Sequence, residues 1–125
     1  MEKTAAKITG RMGEEIAARA LEKSGYTLLS RNVHTRYGEV DLIAEGEGCI
    51  CFVEVKTRRR GSAVSPLESI TPAKRKRIIT SALLYLRSHD TGDLQPRFDL
   101  FSILTDGGEV VSCEHIKGVF DADGY

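Results

Sequence analysis

Two acids and an amine stand out for their types and spacing: Asp41 and, after twelve intervening residues, Glu54-Val55-Lys56. Glu39 to Ala44 and Cys49 to Thr57 read as β-strands joined through Glu45-Gly46-Glu47-Gly48, whose glycines suit a hairpin. Side chains alternate across a strand, so Glu39 and Asp41 share one face and Val40 and Leu42 the other, while Glu54 and Lys56 lie opposite Val53 and Val55. A hairpin that sets Val40 and Leu42 against Val53 and Val55 brings Asp41 and Glu54 out on one surface, about 4.5–8 Å apart. A slip of one residue separates them. Like charges at that distance raise each other's proton affinity, and burial disfavours a charged lysine. A divalent cation resolves the conflict. Mg²⁺ takes one or two carboxylates, keeps several waters and accepts phosphate oxygens, and it can lower the pKa of a bound water and neutralise charge growing on a phosphodiester. Lys56 would then orient or activate that water, or stabilise the departing charge. The alternative is a ladder of Glu and Lys on a solvent-facing strand, against which the flanking Phe52, Val53 and Val55 argue.

The elements that must position these groups can be read from periodicity. Residues 8–24 have helical spacing with Gly25 as a stop. At 100° per residue Met12, Ile16, Ala17, Ala20 and Leu21 gather on one side, with Glu14 at the margin of that apolar face. Glu15 points away and can pair with Arg11 and Arg19. Tyr26 to Arg31 reads as a short strand. Thr71-Pro72 supplies an N-cap and a first-turn proline for a helix to about His89, with Ile78, Ile79, Ala82, Leu83 and Leu86 facing inward. Phe98 to Leu104 and Val110 to Cys113 read as two further strands around Asp106-Gly107-Gly108. The expected fold class is α/β, order αβββαββ: a mixed β-sheet flanked by helices. The 125 residues, read as 1-125, suit one domain.

The formal charge of zero conceals a polar distribution. Between Lys56 and Arg77 eight basic residues stand against Glu68 alone, whereas from Asp90 onward eight acids stand against Arg97 and Lys117. A polyanion would meet one attractive face. Arg58, Arg59 and Arg60 follow the strand of Glu54 directly, and Lys74, Arg75 and Lys76 open the second helix, where cations oppose the helix dipole. At the rim of an ion site these are candidate nucleic-acid-binding residues, giving salt-sensitive, sequence-independent contacts. Lys74 shares a face with Ile78, Ala82 and Tyr85 and so leans toward the cleft. Solvated charge clusters are the plainer alternative.

Other chemistries find little support. Three cysteines at spacings that match no disulfide framework read as reduced core thiols. His34, His89 and His115 lack metal-ligand spacing and read as surface or turn residues. No phosphate loop or Cys-x-x-Cys pair occurs, and with no Trp there is no evident set of base-stacking platforms. No apolar run approaches the roughly 20 residues of a membrane helix, and the first residues lack a signal-peptide plan, so a cytoplasmic location without membrane contact is expected.

Asp41 followed by Glu54-Val55-Lys56 resembles the PD-(D/E)xK signature of the restriction-endonuclease-like nucleases, without the proline. More closely, the chain resembles the bacterial YraN-like family of uncharacterised predicted endonucleases, related in fold to the archaeal Holliday junction resolvases. The resemblance is carried by Gly10-Arg11-Met12-Gly13-Glu14, Gly25-Tyr26, Arg31-Asn32, Gly38-Glu39-Val40-Asp41-Leu42-Ile43-Ala44, Phe52-Val53-Glu54-Val55-Lys56-Thr57-Arg58 and Arg97-Phe98-Asp99. It implies a Mg²⁺ or Mn²⁺ site at Asp41 and Glu54, a catalytic Lys56, Glu14 reaching in from the first helix, and hydrolysis of DNA phosphodiesters at branched or structured sites. Glu39 is open between an outer-shell role and pairing with Arg36; Asp99 is expected to be structural. A non-catalytic nucleic-acid-binding or adaptor module on the same fold is the rival reading. A third is a protein partner for the acidic C-terminal third. The resolvases work as dimers, and Val119-Phe120 is the candidate apolar patch for a homodimer here.

Overall fold

Seven elements follow one another in the computed structural model, which describes residues 10–124: α1 (Gly10–Lys23), β1 (Thr27–Thr35), β2 (Gly38–Gly46), β3 (Cys49–Arg59), α2 (Pro72–Ser88), β4 (Gln95–Asp106) and β5 (Glu109–Phe120). The expected start of the first helix at Ile8 lies outside the described residues. The strands form a five-stranded sheet in chain order, β3 and β4 parallel and the other neighbours antiparallel. Helices cover both faces, giving the mixed α/β order αβββαββ expected and an architecture consistent with the restriction-endonuclease-like fold.

Local chemistry sets the joints. Past α1, Gly25 adopts φ +96° while the Gly25 and Tyr26 amides donate to the Glu22 and Leu21 carbonyls, a Schellman closure that needs the left-handed residue. The β2–β3 turn is the two-residue loop Glu47-Gly48, both at positive φ, between the paired Gly46 and Cys49. This type I′ geometry matches the strand twist. At α2 the Thr71 side chain accepts the Lys74 amide, and Pro72 occupies the first turn.

The sheet separates two apolar clusters. On one side Ala17, Ala18 and Leu21 of α1 pack on Leu42, Ala44, Cys51, Val53, Phe101 and Ile103. On the other, Ile78, Ile79, Ala82 and Tyr85 of α2 pack on Val40, Ile43, Ile50, Phe52, Phe98 and Leu100.

Several expectations are corrected. The buried stripe of α1 is rotated toward Gly13 and Ala18, leaving Met12 exposed, because the helix approaches β3 through Gly13: a methyl there would lie 2.9 Å from Thr57 Oγ1. In α2 Leu83 is exposed and Tyr85 and Ser81 are buried instead. β1 runs on to Thr35, and β5, expected to end at Cys113, continues to Phe120. As an edge strand with an exposed surface, β5 can carry the polar residues Glu114, His115 and Lys117 that disguise it. Phe120 is buried, stacked on Phe98 at 4.9 Å with the Arg75 guanidinium over its ring, so Val119-Phe120 is not an exposed apolar patch. Cys51 is a buried thiol, pushed up to about 12 by burial and the Asp99 charge, but Cys113 is exposed rather than in the core. Among the described residues, no helix is long and apolar enough to cross a membrane.

Candidate metal and nucleic-acid site

The site begins where two strands part. β2 and β3 pair through Leu42 and Val53. Beyond that point the Val55 amide donates 2.8 Å to Asp41 Oδ2, a side chain rather than a strand carbonyl. Opposite Asp41 in the β1–β2 register, Asn32 takes a left-handed φ of 51°. Strict alternation fails here: Val40 packs with the α2-side cluster and Leu42 with the α1-side cluster, so the two do not share a face as expected. The irregularity nevertheless turns the Asp41 carboxylate inward beside Glu54. Burial first, then the Glu54 charge, push the Asp41 carboxyl up to about 7 against the pull of the Val55 amide, with a smaller push from Glu14.

Glu54 is buried on the α2 side of β3, as is Phe52 two residues before it. Its Oε2 lies 3.5 Å from Lys56 Nζ and 2.5 Å from Lys74 Nζ. Lys74 therefore sits in the cleft itself, and its charge in the first turn of α2 is offset by a carboxylate of this chain. Burial would depress Lys74, yet its hydrogen bonds to Glu54 and Lys56 and the Glu54 and Asp41 charges together outweigh that and hold the ammonium above its ordinary value. Lys56 moves the other way, lowered by burial and by the neighbouring Lys74. The two amines are thus differentiated by one carboxylate.

What places Lys74 there is the contact between α2 and the β1–β2 turn. Gly38 packs so closely that a Cβ would lie 3.2 Å from Arg77 Cβ, and Thr35 Oγ1 and Ser81 Oγ are hydrogen-bonded at 2.8 Å. Asp41, Glu54, Lys74 and Arg77 line a hollow of about 220 Å³, with Gly38 and Glu39 at its edge. Arg77 is the residue that the sequence reading left out of the candidate set. Its signal was the i+3 relation to Lys74.

Glu14 is half-buried on α1 and acts on Asp41 through its charge without lining this hollow. Glu15 pairs with Arg19 at 3.4 Å and with Arg31 of β1 at 3.1 Å; Arg31 takes the place expected for Arg11. Glu39 is exposed and pairs with His34, its partner across the ladder, at 3.1 Å instead of with Arg36, which stacks over Tyr37. Among the described residues, no group of three or more His, Cys, Asp or Glu side chains is gathered to hold a metal ion. The protein donors on offer are two oxygen-only carboxylates, which fits a hard cation that retains most of its waters. The fit is also electrostatic, since a carboxyl whose proton affinity is raised by a neighbouring carboxylate is one that a cation in place of the proton would satisfy.

The basic clusters divide. Arg58 has a buried Nε without a hydrogen-bond partner on the strand that carries Glu54 and Lys56. Arg59 and Arg60 line a second hollow with Gly61, Ser62 and the β4–β5 turn, where Arg60 is 3.7 Å from Asp106. On α2, Arg75 donates to the Ile70 and Gly124 carbonyls and lines, with Lys76, a different hollow from that of Lys74. Arg75 is engaged in holding the C-terminal segment, and Lys76 is exposed.

A separate ionic network lies across β4 and β5. The buried Asp99 carboxylate accepts two bonds from Arg97 at 2.9 Å, one from the Gly118 amide at 3.0 Å, and pairs with His115 Nε2 at 2.7 Å. Arg97 continues to Tyr26 and Glu47, and Lys117 reaches Glu47. Burial pushes the Asp99 carboxyl up, but His115, Arg97 and Gly118 outweigh it and hold it below the usual range. His115 is therefore an interior partner, unlike the surface or turn residue expected.

Comparison with known proteins places the chain in a family. The family model described as "Uncharacterised protein family UPF0102" matches residues 13–103, which include Glu14, Asp41, Glu54, Lys56 and Lys74. A UPF0102 protein of Syntrophotalea carbinolica is 42% identical over 116 residues, covering 93% of this chain and 94% of its own. One of Syntrophomonas wolfei is 48% identical over 111 residues, covering 89% and 96%. One of Myxococcus xanthus is 41% identical over 113 residues, covering 90% and 89%. With a family match over most of its length and relatives that match about nine-tenths of it, the chain belongs to the uncharacterised family UPF0102, the YraN-like proteins.

Proposed function

We propose that this protein is a divalent-metal-dependent endonuclease that hydrolyses DNA phosphodiesters, recognising DNA structure more than sequence. The observation that carries the reading is the convergence of Asp41 and Glu54 at the parting of β2 and β3, with the Asp41 carboxyl raised to about 7. Two carboxylates forced together by a buried fork are unfavourable by themselves and become favourable around a cation.

Asp41 and Glu54 would hold Mg²⁺ or Mn²⁺, which when bound supplies an activated water and neutralises charge on the phosphate. Lys56 stands beside Glu54 with its ammonium destabilised by burial and by Lys74, so it can give up or share a proton near neutral pH more readily than an exposed lysine. Glu14, on the other face of the fork, tunes Asp41 by charge. Arg58, with an unused buried donor, and Arg59 and Arg60 beyond it offer a path for the phosphate backbone leading from the carboxylates.

The test is incubation of the purified protein with linear, flapped, gapped and four-way DNA in Mn²⁺, beside Asp41→Asn and Lys56→Ala. Cleavage by the wild type alone supports the reading. Salt-dependent binding to the same substrates without cleavage would instead establish the non-catalytic module, and cleavage that persists in both variants would place the activity elsewhere.

A further inference from the structure

The nuclease reading leaves one cation in the cleft unexplained. Glu54 has Lys56 beside it on its own strand, yet its shorter contact is with Lys74, which arrives from α2, sixteen residues after the strand residue Arg58. That contact is built by the structure around it. The Thr71 cap and Pro72 fix the first turn of α2, and Gly38 lets the helix lie against the β1–β2 turn, where Ser81 bonds to Thr35. The Lys74 side chain is 29% exposed and that of Glu54 is 7% exposed, so the pair is largely withdrawn from water and only weakly screened. Asp41 lines the same hollow as Lys74 and Glu54.

We infer that Lys74 is a resident counter-cation on Glu54 Oε2 that competes with a divalent metal for this carboxylate, so that metal uptake at that oxygen requires Lys74 to leave. This rests on the metal reading of Asp41 and Glu54. A carboxylate oxygen 2.5 Å from an ammonium has no room for a metal ion on the same side. A +1 charge held beside a site for a +2 ion opposes it further in a low-dielectric cleft. Without a metal the lysine supplies the counter-charge for Glu54 in a cleft largely withdrawn from water. Once displaced, its ammonium remains in the hollow beside Arg77, where a substrate phosphate is the anion available to it. Lys74 is thus a positioning residue whose partner changes between the two states.

The experiment measures Mn²⁺ binding by calorimetry, without DNA, in the wild type, Lys74→Met, Lys74→Arg and, as a control in a different hollow, Lys76→Met. Lys74→Met should bind Mn²⁺ about tenfold tighter or more, while Lys74→Arg and Lys76→Met stay near the wild type. Circular dichroism and melting of each variant establish that α2 is in place. In the wild type, acylation mapped by mass spectrometry should show Lys74 reacting slowly without metal and faster with Mn²⁺, with Lys76 unchanged. Equal or weaker Mn²⁺ binding by a folded Lys74→Met overturns the assignment of Lys74 and leaves the metal site standing. Uptake of Mn²⁺ by none of the four proteins overturns the metal reading itself, and this inference with it.

Discussion

The Asp41 carboxylate accepts the backbone amide of Val55 at 2.8 Å, taking over a task that strand carbonyls perform elsewhere in the sheet. One side chain therefore both ends the β2–β3 ladder and supplies an acid to the cleft. The two tasks can be separated by substitution, because Asn keeps an oxygen for the amide while losing the charge.

Asp41→Asn, Glu54→Gln and Lys56→Met should each lower Mn²⁺-dependent cleavage by at least about 100-fold, the size of effect seen when a group stabilising transition-state charge is removed. Circular dichroism should remain that of the wild type. Asp41→Ala should lose the same activity and, in addition, about 1 kcal/mol of stability, because the Val55 amide is left without its acceptor. Denaturant titration of the two Asp41 variants measures the difference.

In the metal-free protein the Asp41 carboxyl is raised to about 7 from an ordinary value of 3.8. Between those limits the folded state holds a proton that the unfolded chain releases, so this group makes stability fall as pH rises from about 4 to about 7. Asp41→Asn removes that dependence. In chelator at pH 8 it should be more stable than the wild type by about 2 kcal/mol, after discounting for partial exposure, and the difference should shrink toward pH 4. Urea unfolding at the two pH values checks both the sign and the window.

Asp99 behaves oppositely. Its folded value lies below the ordinary one despite burial, held there by His115, Arg97 and the Gly118 amide. The stability it contributes is present above its unfolded pKa and lost as pH falls through the folded one. Asp99→Ala leaves Arg97 and His115 without their shared buried partner and should cost about 3–5 kcal/mol at pH 7. Unfolding followed from pH 7 to pH 3 should show the gap between wild type and variant narrowing in acid.

Gly46→Ala should destabilise by about 1–3 kcal/mol, as overpacking does, because the added methyl would overlap the Tyr26 ring. Tyr26 lies under Arg97, so displacement of its ring should also disturb the ionic network at β4 and β5. Thermal melting, together with the His115 ring resonances in NMR, reads both effects.

Arg58→Ala and Arg59→Ala should weaken DNA binding evenly across sequences, and each should reduce the slope of log K against log salt by about 1. Arg75→Ala, whose guanidinium serves the Ile70 and Gly124 carbonyls, should lower the melting temperature while leaving that slope unchanged. Fluorescence anisotropy across a salt series separates the two classes.

Much of this was legible in short-range signals. Thr71-Pro72, the connection Glu45-Gly46-Glu47-Gly48 and Gly25 each act within a few residues, and the elements they bound lie close to where the spacing put them, with β2 running on through Gly46 to leave a two-residue turn. The meeting of Asp41 and Glu54 was reached from a premise that fails in detail, since Val40 and Leu42 pack on opposite sides of the sheet. Periodicity shows no irregularity of that kind, which accompanies a left-handed Asn32 in the neighbouring strand. Long-range contacts were hidden for a similar reason. Lys74 reaches Glu54 only once α2 has docked on Gly38, and His115 reaches Asp99 only across an edge strand whose polar surface disguises its length.

The parallel pairing of β3 with β4 bears on how the molecule is made. Antiparallel β2 and β3 can zip together through a two-residue turn, but β4 cannot dock until the chain has travelled from Arg60 to Leu94 and α2 has crossed the sheet. During synthesis the acids of the hairpin therefore emerge and meet before the helix bearing Lys74 exists. In that interval the Glu54 strand is unmated on the side that β4 will fill, an edge open to chaperones or to mispairing with another copy.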